Sequence, residues 1–208
     1  MAKRGTILFV SNRRLISKEF LIDLYLKKGR SIKDIARVFG CSNHKVRYWM
    51  ERYLIITRSI SEAIYLKNNP DGDPFVFKNP VTLHEALLFG YGMGLYWGEG
   101  TKADKTSVRL GNTDPVLILK FVEFLVKCFG VALSDFKFGL QLFNDVSEQE
   151  ALDFWVKSLK IKKSQFYKVV RTISGSIGTY RKKSRYGVLT VYYHNKKLRD
   201  LLVSFLPM

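Results

Sequence analysis

The sequence predicts an α+β protein with a small helical N-terminal domain and a larger C-terminal domain of mixed α/β type. Apolar residues recur at helical spacing through the first 55 residues, with a capping signal before each run. A turn-rich connector at residues 67–80 holds three of the five prolines. Beyond it, helical and alternating strand patterns follow one another. We therefore expect domains at residues 1–58 and 82–208, joined by a linker at residues 59–81.

Three helices are predicted in the N-terminal domain, at residues 18–28, 32–39 and 43–53, and a serine stands immediately before each of them. A serine side chain at this position accepts a hydrogen bond from the backbone of the first turn. Gly29 and Gly40 follow the first two helices and are typical of helix ends.

Seven positions between residues 32 and 49 carry the apolar or small side chains that a helix-turn-helix requires. Ala36 is small where the two helices cross, and Gly40 allows the positive φ of the turn. We expect these helices to pack against the first helix through Ile35, Val46 and Trp49. The window therefore predicts a helix-turn-helix.

The solvent face of the third predicted helix carries polar and basic residues, as does a helix that reads the major groove. These residues are Ser42, Asn43, His44, Lys45, Arg47 and Tyr48. We expect Asn43 to read adenine and Arg47 to read guanine, each through two hydrogen bonds. Predicted phosphate contacts are Lys45, Arg52 and, on the second helix, Arg37. The alternative is a helical bundle that binds protein, and His44 is explained equally well as part of the capping turn.

The charge of the chain supports a polyanionic partner. Its 35 lysines and arginines against 18 acids give a formal charge of +17, with net +9 in residues 1–80 and net +8 in the remainder. Such an excess costs self-repulsion, which a polyanion relieves. We expect both domains to contact double-stranded DNA. The alternatives are a solvated basic surface and RNA binding, the latter weaker because no RNA-module motif is present.

The C-terminal domain begins with a capping box at Thr82 and Glu85, which opens an apolar helix. Further helices are predicted to begin near Asp114, Ser147 and Lys196. Strands are predicted at residues 107–110, 136–143, 166–173 and 188–193.

A second basic segment, residues 179–187, packs four bases and two tyrosines between the last two predicted strands. This position predicts a hairpin loop, and bases interleaved with aromatic residues suit contact with a DNA backbone. The candidate contacts are Arg181, Lys182, Lys183 and Arg185. The alternative is a loop that is solvated because of its charge.

The helix from Leu83 to Gly100 is unusual because Gly90, Gly94 and Gly98 recur every four residues and so lie on one stripe. Each glycine costs roughly 1 kcal/mol relative to alanine, and close approach of another helix would offset that cost. Glu99 ends the helix, where the dipole disfavours a carboxylate and therefore favours a bound cation or a nearby base. The alternative is an exposed glutamate beside Lys102 and Lys105, with glycines that merely end a helix.

The segment Gly94-Leu-Tyr-Trp-Gly-Glu-Gly100 resembles the LAGLIDADG motif of homing endonucleases. Glu99 stands in place of the final aspartate of the motif, and Trp97 in place of the first. The resemblance extends over about residues 82–206, where helices and strands alternate. It implies an antiparallel DNA-binding sheet and a homodimer with the glycine stripe at the two-fold axis. It also implies a cleavage centre in which two Glu99 carboxylates hold Mg²⁺.

Two functions stay open at this point. The first is a site-specific, Mg²⁺-dependent DNA endonuclease whose helix-turn-helix extends its target. The second is a non-cleaving transcriptional regulator derived from such a nuclease, which would need no cofactor. The acid at Glu99 favours the first, and the helix-turn-helix with the degenerate motif favours the second.

The longest apolar stretch, Ala86 to Trp97, is too short to span a bilayer, and no signal peptide is visible. We therefore expect a cytoplasmic, nucleoid-associated protein.

Overall fold

A computed structural model describes residues 15–172 and 184–207. The chain divides into two compact units, Met1–Asp73 and Pro74–Met208. The division falls inside the turn-rich connector. Among the described residues, no helix is long and apolar enough to cross a membrane.

The described part of the first unit is helical. Its helices are α1 (Lys18–Leu21), which continues as a π-helical turn at Ile22–Lys27, α2 (Ile32–Phe39), α3 (Asn43–Arg52) and α4 (Ile60–Asn68). The three predicted caps are confirmed, since the hydroxyls of Ser17, Ser31 and Ser42 each accept a hydrogen bond from a backbone N–H three residues further on. Gly29 and Gly40 have positive φ angles of 65° and 57°.

A small apolar core holds these helices together. Its buried residues are Ile16, Leu21, Tyr25, Ile35, Ala36, Val46, Met50 and Ile55. Ala36, on α2, is buried in this core, as the helix-turn-helix pattern predicts. Trp49 is only half-buried and stacks on Tyr53 with ring centroids 5.5 Å apart.

The second unit alternates helices with strands. In chain order they are α5 (Leu83–Glu99), β1 (Val108–Asn112), α6 (Pro115–Phe129), β2 (Lys137–Phe143), α7 (Glu148–Leu159), β3 (Val170–Thr172), β4 (Val188–Tyr193) and α8 (Lys196–Ser204). The capping box at Thr82 and Glu85 is present. The Asp114 side chain caps the start of α6, and the Ser147 side chain caps the start of α7. Each accepts a hydrogen bond from a backbone N–H of the first turn.

The four strands form one sheet in the order β1-β4-β2-β3. Strand β4 is antiparallel to both β1 and β2, but β3 is parallel to β2. The prediction of an antiparallel sheet is therefore wrong at this edge. Helix α7 returns the chain to the start of β2 before β3 begins, and a crossover of this kind makes parallel neighbours.

The prediction of a hairpin between the last two strands is also wrong. Strands β3 and β4 pair with opposite edges of β2, so they are not neighbours. Strand β3 is also shorter than the predicted residues 166–173. Phe166 makes only a single bridge, to Phe138.

One face of the sheet is buried and the other is open. The buried strand residues are Val108, Leu110, Phe138, Leu140, Leu142, Leu189, Val191 and Tyr193, and they share a core with residues of α5, α6, α7 and α8. The alternate strand positions are half-buried or exposed. Apart from its parallel edge, the sheet thus has the alternation expected of strands with one solvated face.

Helices α5 and α6 approach each other closely at Gly92, where a Cβ atom would lie 2.0 Å from Cγ of Phe124. The predicted glycine stripe lies elsewhere on α5. Gly90, Gly94 and Gly98 are exposed, and apart from the adjoining residues and backbone of α5 itself no described atom lies within 4 Å of a Cβ built there. The close helix contact inside the described chain therefore uses a glycine outside the stripe, because it is Gly92 that faces the Phe124 ring.

Candidate nucleic-acid interface

The first surface is the exposed side of α3. Asn43 and Arg47 lie one helical turn apart and are both exposed, as are His44, Tyr48 and Arg52. Lys45 is half-buried, on the flank of the helix. The structure therefore presents the two predicted base readers side by side, with a polar amide next to a guanidinium.

The turn before α3 fixes how this surface is presented. Gly40 adopts the left-handed conformation, with φ 57° and ψ 42°, and only two residues separate it from α3. The Ser42 hydroxyl accepts a hydrogen bond from the Lys45 backbone N–H at 3.3 Å. Ser42 thus acts as a helix cap for the Lys45 N–H. The other backbone N–H groups of the first turn of α3 stay available to attract a phosphate.

Arg37 is exposed on α2 and lies 3.5 Å from the carboxylate of Asp34. The Ser31 hydroxyl donates a hydrogen bond of 2.6 Å to that carboxylate. This bond, together with the Arg37 charge, lowers the pKa of Asp34. An exposed ion pair of this kind contributes little to stability, so Arg37 can exchange it for a phosphate at small cost.

The second surface is the open face of the sheet in the second unit. Tyr192 on β4 pairs with Arg109 on β1 and with Lys137 on β2, so its ring lies between two basic side chains. The Arg109 guanidinium is 5.1 Å from the centroid of that ring. On the same face, Gln141 donates a 2.9 Å hydrogen bond to the Thr172 hydroxyl. Bases and aromatic rings on an open sheet are typical of nucleic-acid surfaces.

His194 lies beside this face, where its Nε2 is 2.6 Å from the Tyr167 hydroxyl. Its ring also stacks against Tyr192, with centroids 6.0 Å apart. Burial and then the Arg109 charge lower the pKa of His194 below its ordinary value. The imidazole is therefore neutral near pH 7, and the positive charge of this face comes from its lysines and arginines.

Hydrogen bonds and ion pairs of charged side chains hold the loop that follows α5. Asp104 accepts hydrogen bonds from the Thr106 hydroxyl at 2.6 Å, from the Thr106 backbone at 2.8 Å and from Ser107 at 2.9 Å. These bonds, with the Arg109 charge, lower the pKa of Asp104 to about 2. Arg109 forms an ion pair with Asp104, so part of its charge is already neutralised.

Arg199, on α8, also holds this loop. It donates hydrogen bonds to the backbone carbonyls of Asp104, at 3.1 Å, and of Lys102. The Lys102 amine in turn donates to the carbonyl of Trp97 at 2.6 Å. A cation at this end of α5 compensates the helix dipole, and the loop beside Glu99 is fixed from both sides.

Glu99 is the last residue of α5, and its side chain is exposed. The described residues contain no group of three or more histidine, cysteine or acidic side chains that could hold a metal ion. One Glu99 carboxylate does not make a metal site by itself. Mg²⁺ takes one or two carboxylates together with substrate phosphates, so a site here would need donors from outside the single chain.

The glycine stripe lies on an exposed apolar face of α5. Leu83 is 78% exposed, Leu87 52% and Tyr91 66%. They line a groove of about 560 Å³ together with Ala86, Gly90, Gly94 and Leu95. Exposed apolar faces of this kind mark interaction surfaces.

The basic segment near residue 180 is only partly described. Arg181, Lys182 and Lys183 lie outside the described residues. Arg185 is exposed, with its guanidinium 5.3 Å from the Tyr186 ring centroid. Tyr186 itself stacks on Phe154 with ring centroids 3.7 Å apart, so its ring packs against its own unit.

Comparison with known proteins identifies part of the first unit. A family profile described as a helix-turn-helix domain matches residues 17–55, which contain α1, α2 and α3. The comparisons with curated proteins and with solved structures gave no match. None of the comparisons supports the LAGLIDADG resemblance of the second unit. The chain thus carries an N-terminal helix-turn-helix domain, which indicates DNA as its partner.

Proposed function

We propose that the protein is a site-specific binder of double-stranded DNA that reads bases with α3 and holds more of the backbone with the open face of its sheet. The observation that carries the proposal is the exposed pair Asn43 and Arg47, inside the matched helix-turn-helix domain. The side chains of such a pair can each make two hydrogen bonds to a purine edge in the major groove.

The test begins with a DNA target selected from a random library by the full chain. Arg47→Ala should bind that target more weakly and tolerate changes at one base pair, with a loss of about 1–3 kcal/mol. Lys45→Ala should weaken binding to all sequences alike and reduce the salt dependence. If neither substitution alters binding, α3 is not the recognition helix.

We further propose that two copies associate through the exposed glycine face of α5. Three glycines on that face each cost the helix roughly 1 kcal/mol, and nothing within the described chain packs against them. Glycines let two helix backbones approach closely, and burial of Leu87 and Tyr91 would add a hydrophobic gain. A two-fold axis would place the same face of both copies in contact.

Sedimentation equilibrium tests this dimer. Tyr91→Glu puts a charge on the proposed interface and should give a monomer. Val116→Glu is the matched control, because Val116 is similarly exposed, at 64%, but lies on α6. Equal association of both variants, or a monomeric unsubstituted chain with and without DNA, would rule out the interface.

Cleavage of the bound DNA is the second candidate function, favoured by the exposed carboxylate of Glu99 at the end of the same face. In a dimer, two Glu99 side chains and the DNA phosphates would supply oxygen ligands that suit Mg²⁺. The selected target is incubated with Mg²⁺ and with the unsubstituted chain, Glu99→Gln or the control Glu150→Gln. Nicking that is lost only in Glu99→Gln supports an endonuclease. Tight binding without nicking by any of the three supports a regulator.

A further inference from the structure

A large cleft in the first unit lies between the helix-turn-helix and α4. Its volume is about 1480 Å³. The start of α2 and the readers Asn43 and Arg47 line one wall, and residues 57–72, including α4, line the other. This second wall lies beyond residues 17–55, which the helix-turn-helix profile matches.

The cleft is strongly basic. Six bases that line it have no ion pair with any residue that the structure describes: Lys27, Arg30, Lys33, Arg47, Arg58 and Lys67. The lining contains two acids, Asp34 and Asp71, and Asp34 already binds the Ser31 hydroxyl. Unpaired bases gathered around one cleft repel one another, and an anion with several charges relieves that repulsion.

Arg58 fixes the position of the second wall. Its backbone N–H donates to the Tyr25 hydroxyl at 2.7 Å, and its Nη1 donates to the Gly29 carbonyl at 3.0 Å. The guanidinium lies 3.9 Å from the centroid of the Tyr25 ring. Its Nη2 is buried and has no hydrogen-bond partner within the described part of the chain. The charge is thus held by neutral groups and keeps its attraction for an anion.

Helix α4 is poorly explained as part of a core, since none of its residues is buried. Ile60 and Ile64, one turn apart, are 82% and 54% exposed beside the cleft. Lys67 is also exposed and lines the cleft from the last turn. A helix that turns apolar side chains and a lysine to one cleft suits a ligand in which the C–H groups of deoxyribose alternate with charged phosphates.

We infer that this cleft holds one sugar–phosphate strand of the target DNA, with α4 and Arg58 as backbone contacts outside the helix-turn-helix. The inference rests on the DNA binding proposed above. Asn43 and Arg47 line the same cleft. When they read a DNA base pair, the phosphates of that strand are therefore brought to the lysines and arginines of the cleft. The chain after α3 then acts as a clamp on the backbone, independent of sequence.

The salt dependence of binding by the full chain tests the clamp. Each phosphate contact adds about 0.9 to the slope of log K against log salt concentration. Lys67→Gln should lower the slope by about that amount and weaken binding about fivefold near 0.15 M salt, for every DNA sequence alike. The matched control is Lys18→Gln, at the exposed start of α1 and outside the cleft lining, which should leave the slope unchanged.

Hydroxyl-radical footprinting on the selected target gives a second measurement. Lys67→Gln should lose protection of a few sugars beside the bases that Arg47 reads, with base preference retained. An unchanged slope and footprint in Lys67→Gln, while Arg47→Ala still relaxes base preference, would overturn the clamp and leave DNA binding intact. A chain that binds no DNA would overturn both.

Discussion

Alanine at Gly92 and alanine at Gly94 are the same substitution in the same helix, and we expect opposite effects on the stability of the second unit. A Cβ at Gly92 would lie 2.0 to 2.4 Å from three atoms at the root of the Phe124 ring. That ring is fully buried and packs against Phe89 and Phe129 at centroid distances of 5.9 and 5.3 Å. It therefore cannot move aside without disturbing the core.

The magnitudes follow from two opposing effects. Replacing glycine by alanine inside a helix gains about 1 kcal/mol. Overpacking a core of this kind costs typically 1–3 kcal/mol, and a contact at the base of a buried ring belongs near the top of that range. Gly92→Ala should therefore lose about 2 kcal/mol net, whereas Gly94→Ala, with open space around its Cβ, should gain about 1 kcal/mol.

Thermal unfolding followed by circular dichroism measures both variants. At about 3 °C per kcal/mol for a unit of this size, the Tm of the second unit should fall by about 6 °C in Gly92→Ala and rise by about 3 °C in Gly94→Ala. The gain at Gly94 should shrink at high protein concentration if that face pairs in a dimer. An unchanged or raised Tm in Gly92→Ala would refute the close approach of α5 and α6.

Three further substitutions test other parts of the structure. Asp104→Asn should cost about 2 kcal/mol. Because the pKa of Asp104 is lowered from 3.8 to about 2, its stabilising effect is complete above about pH 4 and is lost towards pH 2, so acid titration of the variant should lack that loss. Gly40→Ala should destabilise the first unit by about 1 kcal/mol, seen as a lower Tm, because alanine is strained at φ 57°. Phe154→Ala removes the partner of Tyr186 at 3.7 Å and should lower the Tm of the second unit by several degrees, whereas an unchanged Tm would show that the stack adds nothing.

The sequence predicts the helix starts well because each depends on residues only a few positions apart. The Ser31 hydroxyl and the Asp34 backbone, for example, are three residues apart and bind each other in the structure. Gly40 is predictable for the same reason, since its left-handed conformation belongs to the turn itself. Local hydrogen bonds of this type need no knowledge of the rest of the fold.

Contacts between distant residues explain what sequence reasoning missed. The close contact between α5 and α6 at Gly92 depends on Phe124, which approaches from α6, whereas the stripe of Gly90, Gly94 and Gly98 is predicted to face a second copy and is exposed in the single chain. Similarly, β3 runs parallel to β2 because of the crossover through α7. Neither fact is encoded in the residues nearest to it.

The candidate interface also has one part that the sequence predicts and one part that it does not. The exposed face of α3 follows from helical periodicity, and Lys137 could have been found from the alternation of β2, since it lies out of phase with the buried Phe138 and Leu140. The basic cleft could not be found, because it depends on the contact of Arg58 with Tyr25, 33 positions away. A surface built by one element is readable from sequence, whereas a cleft between elements is not.

Dimerisation and cleavage are linked by the position of Glu99. The described residues of one chain contain no group of three or more histidine, cysteine or acidic side chains that could hold a metal ion, and the proposed cleavage centre takes its second carboxylate from the Glu99 of another copy. Tyr91→Glu should then abolish both dimer and nicking, whereas Glu99→Gln should abolish nicking and keep the dimer. Each variant is assayed by sedimentation and on the selected target with Mg²⁺. A monomeric Tyr91→Glu protein that still nicks DNA would show that the acids of the cleavage centre come from elsewhere in the single chain.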